Sequence, residues 1–459
     1  MHISNRNTQQ WQKIDIDHYL HPFTDYKDLR KNGSKIIVSG EGNYVIDSDN
    51  NKLLDMMAGL WCVNIGYGRN ELAETAYQQM KILPYYNSFF KTATPSSIEL
   101  SQILSEITPT NINHFFYGSS GSESNDTLVR LVRTYWDILG ENSKKTFISR
   151  TYAYHGSTMA SASLGGMDAM HKQGDLPLPG FVHVTPPYKY KYGPHLTNDE
   201  FCNFAIKEIE NKIIEIGAEN IAAFIGEPIQ GAGGVIVPPV NYWKSVRKLC
   251  DKYNILLCVD EVICGFGRLG EWFGSQFYKI EPDIITFAKG VTSGYLPLSG
   301  IGINKKITDV IIEKGGEFFH GYTYSGHPVA CSVAIENIRI IKEEGLIENV
   351  KNNTGPYLQS RMREFLNHPL VGEVRGEGLL LGVELVKNKE KKELFDPPGI
   401  IGTICRDHCI DNNLIMRAVR DGMMCSPPLT ITKDDIDLCI KKFNKCLDLT
   451  MNDINKLNL

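Results

Sequence analysis

Two short apolar runs in the middle of the chain each end in a charge. Ile255-Leu-Leu-Cys-Val259 runs into Asp260, and Ile284-Ile-Thr-Phe287 runs through Ala288 into Lys289. Runs of this length, rich in β-branched residues and bounded by turn residues, read as buried strands of a parallel sheet. Ligands of open α/β sheets gather outside the carboxyl ends of the strands. An acid and a lysine are therefore delivered to one sheet edge. Taken singly, the Asp reads equally as a helix cap and the Lys as a surface residue, but burying either charge without a partner is costly. A third feature lies upstream, where Phe115-Phe-Tyr117 enters Gly118-Ser-Ser-Gly121-Ser122 and a helical pattern (Leu128, Leu131, Tyr135, Ile138) follows. Glycines admit a ligand close to the backbone, serines add hydroxyls, and the first N–H groups of a helix attract an anion such as phosphate. Alone, that loop is as readily a glycine–serine turn with an N-cap. Together, the three features fit pyridoxal phosphate (PLP): phosphate at the helix start, ring nitrogen at Asp260, aldehyde at Lys289. Lysine suits the last role because it sheds its proton when partly desolvated.

The elements around these residues follow a regular plan. Short apolar runs at 146–149, 181–184, 221–225, 255–259, 284–287 and 299–303 alternate with stretches such as 199–216 and 241–253, long enough for crossover helices. This βαβ alternation predicts an α/β fold with a mostly parallel sheet and helices on both faces. Ser120 and Glu123 have the capping-box spacing that opens a helix. The first 60 residues read as an arm and a small sheet, with strands at 35–38, 44–47 and 53–55 separated by turns at Gly40-Glu-Gly-Asn43 and Asp49-Asn-Asn51. A glycine-punctuated loop carrying Trp61 leads to a helix over 69–82. Beyond about residue 331, helical stretches surround strands at 371–374, 379–386 and 414–419, which predicts a smaller α+β domain. The expected division is 1–60 (arm and hairpin packing with the small domain), 61–330 (large cofactor-binding domain) and 331–459 (small domain).

Bulk properties exclude several functions. The chain has 459 residues, 42% hydrophobic and 22% charged, with net charge −5 and no basic footprint for nucleic acid. Eleven cysteines are scattered without a C-x-x-C pair, which argues against a disulfide framework and a zinc site. The N-terminal residues show no apolar run of signal-peptide length, and no stretch approaches a membrane span. A soluble cytoplasmic enzyme without metal, nucleic-acid or membrane partners is expected.

Six motifs then carry a resemblance. They are Gly59-Leu-Trp-Cys-Val-Asn64, Ser120-Gly-Ser-Glu-Ser-Asn-Asp126, Tyr154-His-Gly156, Glu227-Pro-Ile-Gln-Gly-Ala-Gly-Gly234, Asp260-Glu-Val-Ile-Cys-Gly-Phe-Gly-Arg268 and His320-Gly-Tyr-Thr-Tyr-Ser-Gly-His-Pro328. In this order, within a span from His21-Pro-Phe-Thr24 to Ser426-Pro-Pro-Leu429, the sequence resembles the class III (ω-amino acid type) aminotransferases. The resemblance implies the aspartate-aminotransferase-like fold (fold type I). It implies that Lys289 holds PLP as a Schiff base and, once freed, shuttles a proton between the substrate carbon and C4′. Asp260 would pair with the pyridinium nitrogen, and Ser120, Gly121 and Ser122 would bind phosphate. Tyr154 would stack on the ring with Val262 on its other face, and His155 and Tyr322 would add cofactor contacts. Thr323 would reach the phosphate of a neighbouring subunit, giving a homodimer with shared active sites; dimer against tetramer stays open. Glu227 would lie near the cofactor, tuning O3′ or buttressing the sheet.

For the substrate, Phe23, Trp61 and Phe89 with Tyr154 resemble the aromatic walls of an ω-transaminase pocket, although core packing is an equal reading for Phe89. Arg417 resembles a mobile arginine that pairs with a substrate carboxylate, a task suited to a bidentate guanidinium; a domain-interface salt bridge is the alternative. Related sequences usually carry glycine where Arg420 stands, so this arginine could crowd Arg417 or alter carboxylate preference. The implied reaction takes an amino group from a primary amine or ω-amino acid, leaves pyridoxamine phosphate, and aminates a keto acid, expected to be pyruvate, giving L-alanine. Putrescine and related polyamine products, β-alanine, taurine and arylalkylamines all remain open as donors. The alternatives are a decarboxylase or aminomutase of the same fold and a non-catalytic PLP-binding regulator, for which the chain has no DNA-binding segment to spare.

Overall fold

A computed structural model of the chain describes residues 6–457. Residues 1–5, read above for a signal peptide, lie outside the described residues. After two helices, Thr8–His18 and Tyr26–Asn32, the chain forms an antiparallel meander of β1 (Ile37–Glu41), β2 (Tyr44–Asp47) and β3 (Lys52–Asp55). The central sheet has seven strands. They are β4 (Ile112–Gly118), β5 (Thr146–Arg150), β6 (Phe181–Val184), β7 (Ile221–Gly226), β8 (Leu256–Asp260), β9 (Ile284–Phe287) and β10 (Ser299–Asn304). Their order is β4-β10-β9-β8-β7-β5-β6. β10 runs antiparallel to both neighbours, and the pairs from β9 to β6 are parallel.

The apolar runs are continuous because both faces of the sheet are covered. Every residue of β7, β8, β9 and β10 is buried. Alternate side chains divide between two cores, as a period of two requires. Leu256, Cys258 and Ile284 pack with Leu128, Leu131 and Val132 of the helix Gly121–Ile138. Leu257, Val259, Ile285 and Phe287 join Trp243 and Phe273 in the other core. Asp260 continues the first of these faces, which turns its carboxylate toward the helix Gly121–Ile138.

The C-terminal region supplies β11 (Val371–Glu377), β12 (Leu380–Leu385), β13 (Leu414–Ile415), β14 (Arg417–Val419) and β15 (Gly422–Cys425). β11, β12, β15 and β14 form an antiparallel sheet. The expected strand over 414–419 is divided at Met416, because β13 leaves that sheet and pairs in parallel with β3. The N-terminal meander is thus completed by a strand from the far end of the chain. Helices that the sequence reading left unassigned include Thr8–His18, opened by an Asn7–Gln10 capping box, and Pro95–Ile107, with proline in its first turn. No described helix is long and apolar enough to cross a membrane.

Candidate active site

The strand ends bring the predicted residues together. Asp260 closes β8 and Lys289 follows β9 by two residues, on adjacent parallel strands in which Asp260 lies opposite Thr286. Lys289 starts a short 3-10 turn at φ +49°, a left-handed conformation that costs a non-glycine residue roughly 1–3 kcal/mol and persists where surroundings enforce it. Between β4 and its helix, Ser120 is the N-cap, and its Oγ accepts from the Glu123 N–H at 3.2 Å. The capping box is only half made: the Glu123 carboxylate accepts from Ser119 N–H at 2.5 Å instead of from Ser120. Gly121 and Ser122 are left with first-turn N–H groups that have no intrahelical partner. A Cβ at Gly121 would lie 3.3 Å from Val262, so glycine allows the close approach that narrows the cradle.

These residues enclose a cavity of about 200 Å³. Ser120, Gly121 and Ser122 line one part of it, and Tyr154, His155, Glu227, Asp260, Val262 and Lys289 are among the residues that line the rest. Asp260 is buried, and its Oδ2 accepts from His155 Nδ1 at 2.7 Å and from Asn125 Nδ2 at 3.0 Å. Its Oδ1 accepts from the Val262 N–H at 3.1 Å. Burial alone would raise the pKa of this carboxyl, but the hydrogen bond and charge of His155, helped by Asn125 and Val262, outweigh it and hold the group below its ordinary value. Asp260 is therefore a carboxylate at neutral pH. Lys289 is pushed the other way, with burial lowering its amine to about 8 against the opposing pulls of Cys62, Asp260 and Glu227.

Glu227 follows β7 directly and is buried. Its Oε2 accepts from the Gly231 N–H at 2.9 Å, while Oε1 has no protein partner. Burial raises its pKa to about 7, with Asp260 adding and His155 and Arg150 opposing. It thus both caps a turn and presents a free oxygen. His155 Nε2 is likewise buried without a partner. A charged carboxylate, a lysine of lowered pKa, free helix-start N–H groups and unpaired polar atoms in one cavity fit the ring nitrogen, aldehyde and phosphate of PLP.

The remaining expected residues are spread more widely. Phe23 is 75% exposed, with its ring edge-on to Tyr154 at 6.3 Å. Trp61 is 1% exposed at φ +65° and packs with Ile263, which lines the cavity, and with Met424; its indole N–H has no partner. Arg417 opens β14, half-buried. Burial lowers its pKa, and Tyr154 is its one opposing neighbour, with no carboxylate paired to it among the described residues. Arg420 does not crowd it, since its guanidinium is engaged with Gly233 and Tyr152. Phe89 lies in a separate surface groove with Phe90, Ile98 and Phe318. Tyr322 touches the helix Gly121–Ile138, its hydroxyl donating to the Glu123 carbonyl at 3.0 Å. Thr323 is exposed outside the cavity of its own chain.

Sequence reasoning missed Asn125 as a partner of Asp260, although it lies within a quoted motif one turn and a half into the helix. It also missed why distant motifs are tied together. Arg268, fully buried, donates to Asn64 Oδ1 at 2.8 Å, and Asn64 Nδ2 donates to the Phe266 carbonyl at 2.8 Å.

Fold and site together define a PLP-dependent aminotransferase. The chain belongs to the aminotransferase class-III family, whose model matches residues 29–447. It is similar to the putrescine–pyruvate aminotransferase of Pseudomonas aeruginosa, 55% identical over 448 residues that cover 98% of each protein. Among solved structures it resembles a thermostable (S)-enantioselective omega-transaminase from Thermomicrobium roseum, with TM-score 0.95 and 44% identity over 97% of this chain and 100% of that one. The omega transaminase of Pseudomonas jessenii in complex with PMP gives TM-score 0.95 and 41% identity over 97% and 99%.

Proposed function

We propose that this enzyme moves the amino group of a primary amine, with a short aliphatic diamine of the putrescine kind as donor, to pyruvate. The observation that carries the reading is Arg417, an unpaired guanidinium within electrostatic reach of both Tyr154 and Lys289. Such a group suits the carboxylate of a keto acid. The 55% identity to a putrescine–pyruvate aminotransferase across nearly the whole chain supports the donor and the acceptor.

The residues divide the work. Bound PLP supplies the electron sink that weakens bonds at the amine-bearing carbon. Lys289, held near neutrality by burial, attaches the cofactor and, when released, carries the proton on its Nζ. Asp260, kept ionised by His155, holds a proton on the ring nitrogen. The helix start at Gly121 and Ser122 anchors the phosphate. Arg417 pairs with the keto-acid carboxylate and turns aside for a neutral or cationic amine. With putrescine as donor, alanine should form from pyruvate only when both are supplied; alanine without an amine, or carbon dioxide from an amino acid, would point to another reaction of the same fold.

The reading includes a homodimer with shared sites. Phe90 (89% exposed) lines the groove that holds Phe89, and Phe319 (77%) adjoins Phe318 of its wall, leaving apolar surface there. Thr323 would complete the phosphate site of the neighbouring subunit from this face. Mixing Lys289→Ala with Thr323→Ala chains tests it, because the mixed dimer regains one site with both residues intact. Recovery of activity is expected, and none would remove Thr323 from the neighbour's site. The division into 1–60, 61–330 and 331–459 belongs to the same reading, with the β3–β13 pairing as its support. The eleven unpaired cysteines suit a reducing cytoplasm.

A further inference from the structure

Both residues at the tip of the β14–β15 hairpin are engaged. Asp421 accepts from the N–H groups of Gly399 at 2.9 Å and of Ile401 and Gly402 at 3.0 Å, at the start of the helix Ile400–Asp411. Arg420 reaches a different part of the molecule. Its Nη2 donates to the Gly233 carbonyl at 2.7 Å, and its guanidinium lies 4.3 Å from the centre of the Tyr152 ring. Its backbone holds φ +53°, a left-handed conformation that an arginine keeps only where its surroundings enforce it.

Each of the three segments joined by Arg420 carries a site residue. Tyr152 precedes Tyr154 by two positions in the loop after β5. Gly233 lies in the turn whose Gly231 N–H binds Glu227. The hairpin itself begins with Arg417, in register with Met424. The first two segments already touch, since a Cβ at Gly233 would fall 2.6 Å from the Tyr152 carbonyl oxygen.

We propose that Arg420 is a positioning residue for keto-acid recognition: it locks the hairpin to the loops of Tyr154 and Glu227 and so fixes Arg417 relative to Tyr154. The proposal rests on the reading of Arg417 as the carboxylate partner. With the tip held from both sides, Arg417 clears the site for an amine by turning its side chain while its backbone stays in place. Without the lock, its guanidinium spreads over more positions and meets a carboxylate in fewer of them. An acceptor without a carboxylate makes no use of Arg417 and is indifferent to the change.

Arg420→Gly tests this cleanly, because glycine accepts the left-handed backbone and a loss cannot come from new strain. At saturating amine, the KM for pyruvate should rise by about tenfold, the scale of one charge-assisted hydrogen bond and one cation–π contact. The kcat at saturating pyruvate should stay within about twofold, and kinetics with a neutral aldehyde acceptor should not change. Arg420→Lys keeps a cation beside Tyr152 and should restore most of the pyruvate KM. Equal changes with both acceptors, or no change with either, overturn the proposal. Arg417→Ala in the same assay separates the two readings. If it affects pyruvate and aldehyde alike, the carboxylate role of Arg417 fails on its own, whatever Arg420 does.

Discussion

Lys289 should titrate near neutrality, and that determines how the apoenzyme captures its cofactor. Burial lowers its pKa from 10.5 to about 8; Cys62, Asp260 and Glu227 pull upward, and the Arg417 charge adds to the lowering. Only a neutral amine attacks an aldehyde. At pH 7 a pKa of about 8 leaves roughly a tenth of the amine neutral, about 300-fold more than the roughly 3 in 10,000 of an unshifted lysine. Stopped-flow mixing of apoenzyme with PLP, followed by the absorption of the lysine-bound cofactor, reads this directly. The rate should rise about tenfold per pH unit up to a pH of about 8 and then level off. A rate that climbs unbroken to about pH 10 would refute the reasoning, because it is the behaviour of an unperturbed lysine. Arg417→Ala should move the midpoint upward, since it removes a neighbouring positive charge. The linkage has a definite sign. Between about 8 and 10.5 the unfolded chain holds the proton and the folded chain does not, so this group makes the apoenzyme more stable as pH rises through that window.

Three further outcomes follow from the same site. Asp260→Asn removes the charge that His155 meets at 2.7 Å, and turnover should fall by at least about a hundredfold, with a lowered Tm because a buried pair is broken. Unchanged turnover would detach Asp260 from the ring nitrogen. Gly121→Ala places a Cβ 3.3 Å from Val262, and equilibrium dialysis should show PLP bound about tenfold more weakly while Tm changes little. Glu227 has its folded pKa raised to about 7, so it costs the enzyme stability progressively between about 4.5 and 7 and fully above. Glu227→Gln removes that cost, and the Tm of the variant relative to wild type should rise across this window; a pH-independent difference would contradict the shift.

Much of this site was legible because burial and chemistry coincide. Strands β8 and β9 are covered on both faces, so they appear as unbroken apolar runs, and a charge at the end of such a run needs a partner. Asp260 and Lys289 could be read on those grounds, and the Gly121 helix start from a glycine–serine loop followed by helical apolar spacing. The direction of β10 could not, since a period of two is the same for parallel and antiparallel strands. The break at Met416 depends on β3, more than 350 residues away in sequence, and leaves no local trace. Arg420 illustrates the same limit. Its sequence neighbourhood suggests a second charge beside Arg417, yet the Gly233 carbonyl and the Tyr152 ring, both remote in sequence, draw it away. Trp61 reads as a pocket wall from its loop, but the left-handed backbone at Ala58, Gly59 and Trp61 itself, and the packing of the indole on Ile263 of the cavity wall and on Met424, have no signature in the sequence.

The central claim, amino transfer carried by Lys289, has a direct measurement in single half-reactions. Holoenzyme mixed with putrescine in the absence of a keto acid, freed of excess amine and then given pyruvate, should release one equivalent of alanine per site and regain the absorption of lysine-bound cofactor. Lys289→Ala, folded and loaded with PLP, should release none. Alanine formed by that variant, or none formed by the wild-type enzyme with any primary amine, would contradict the account.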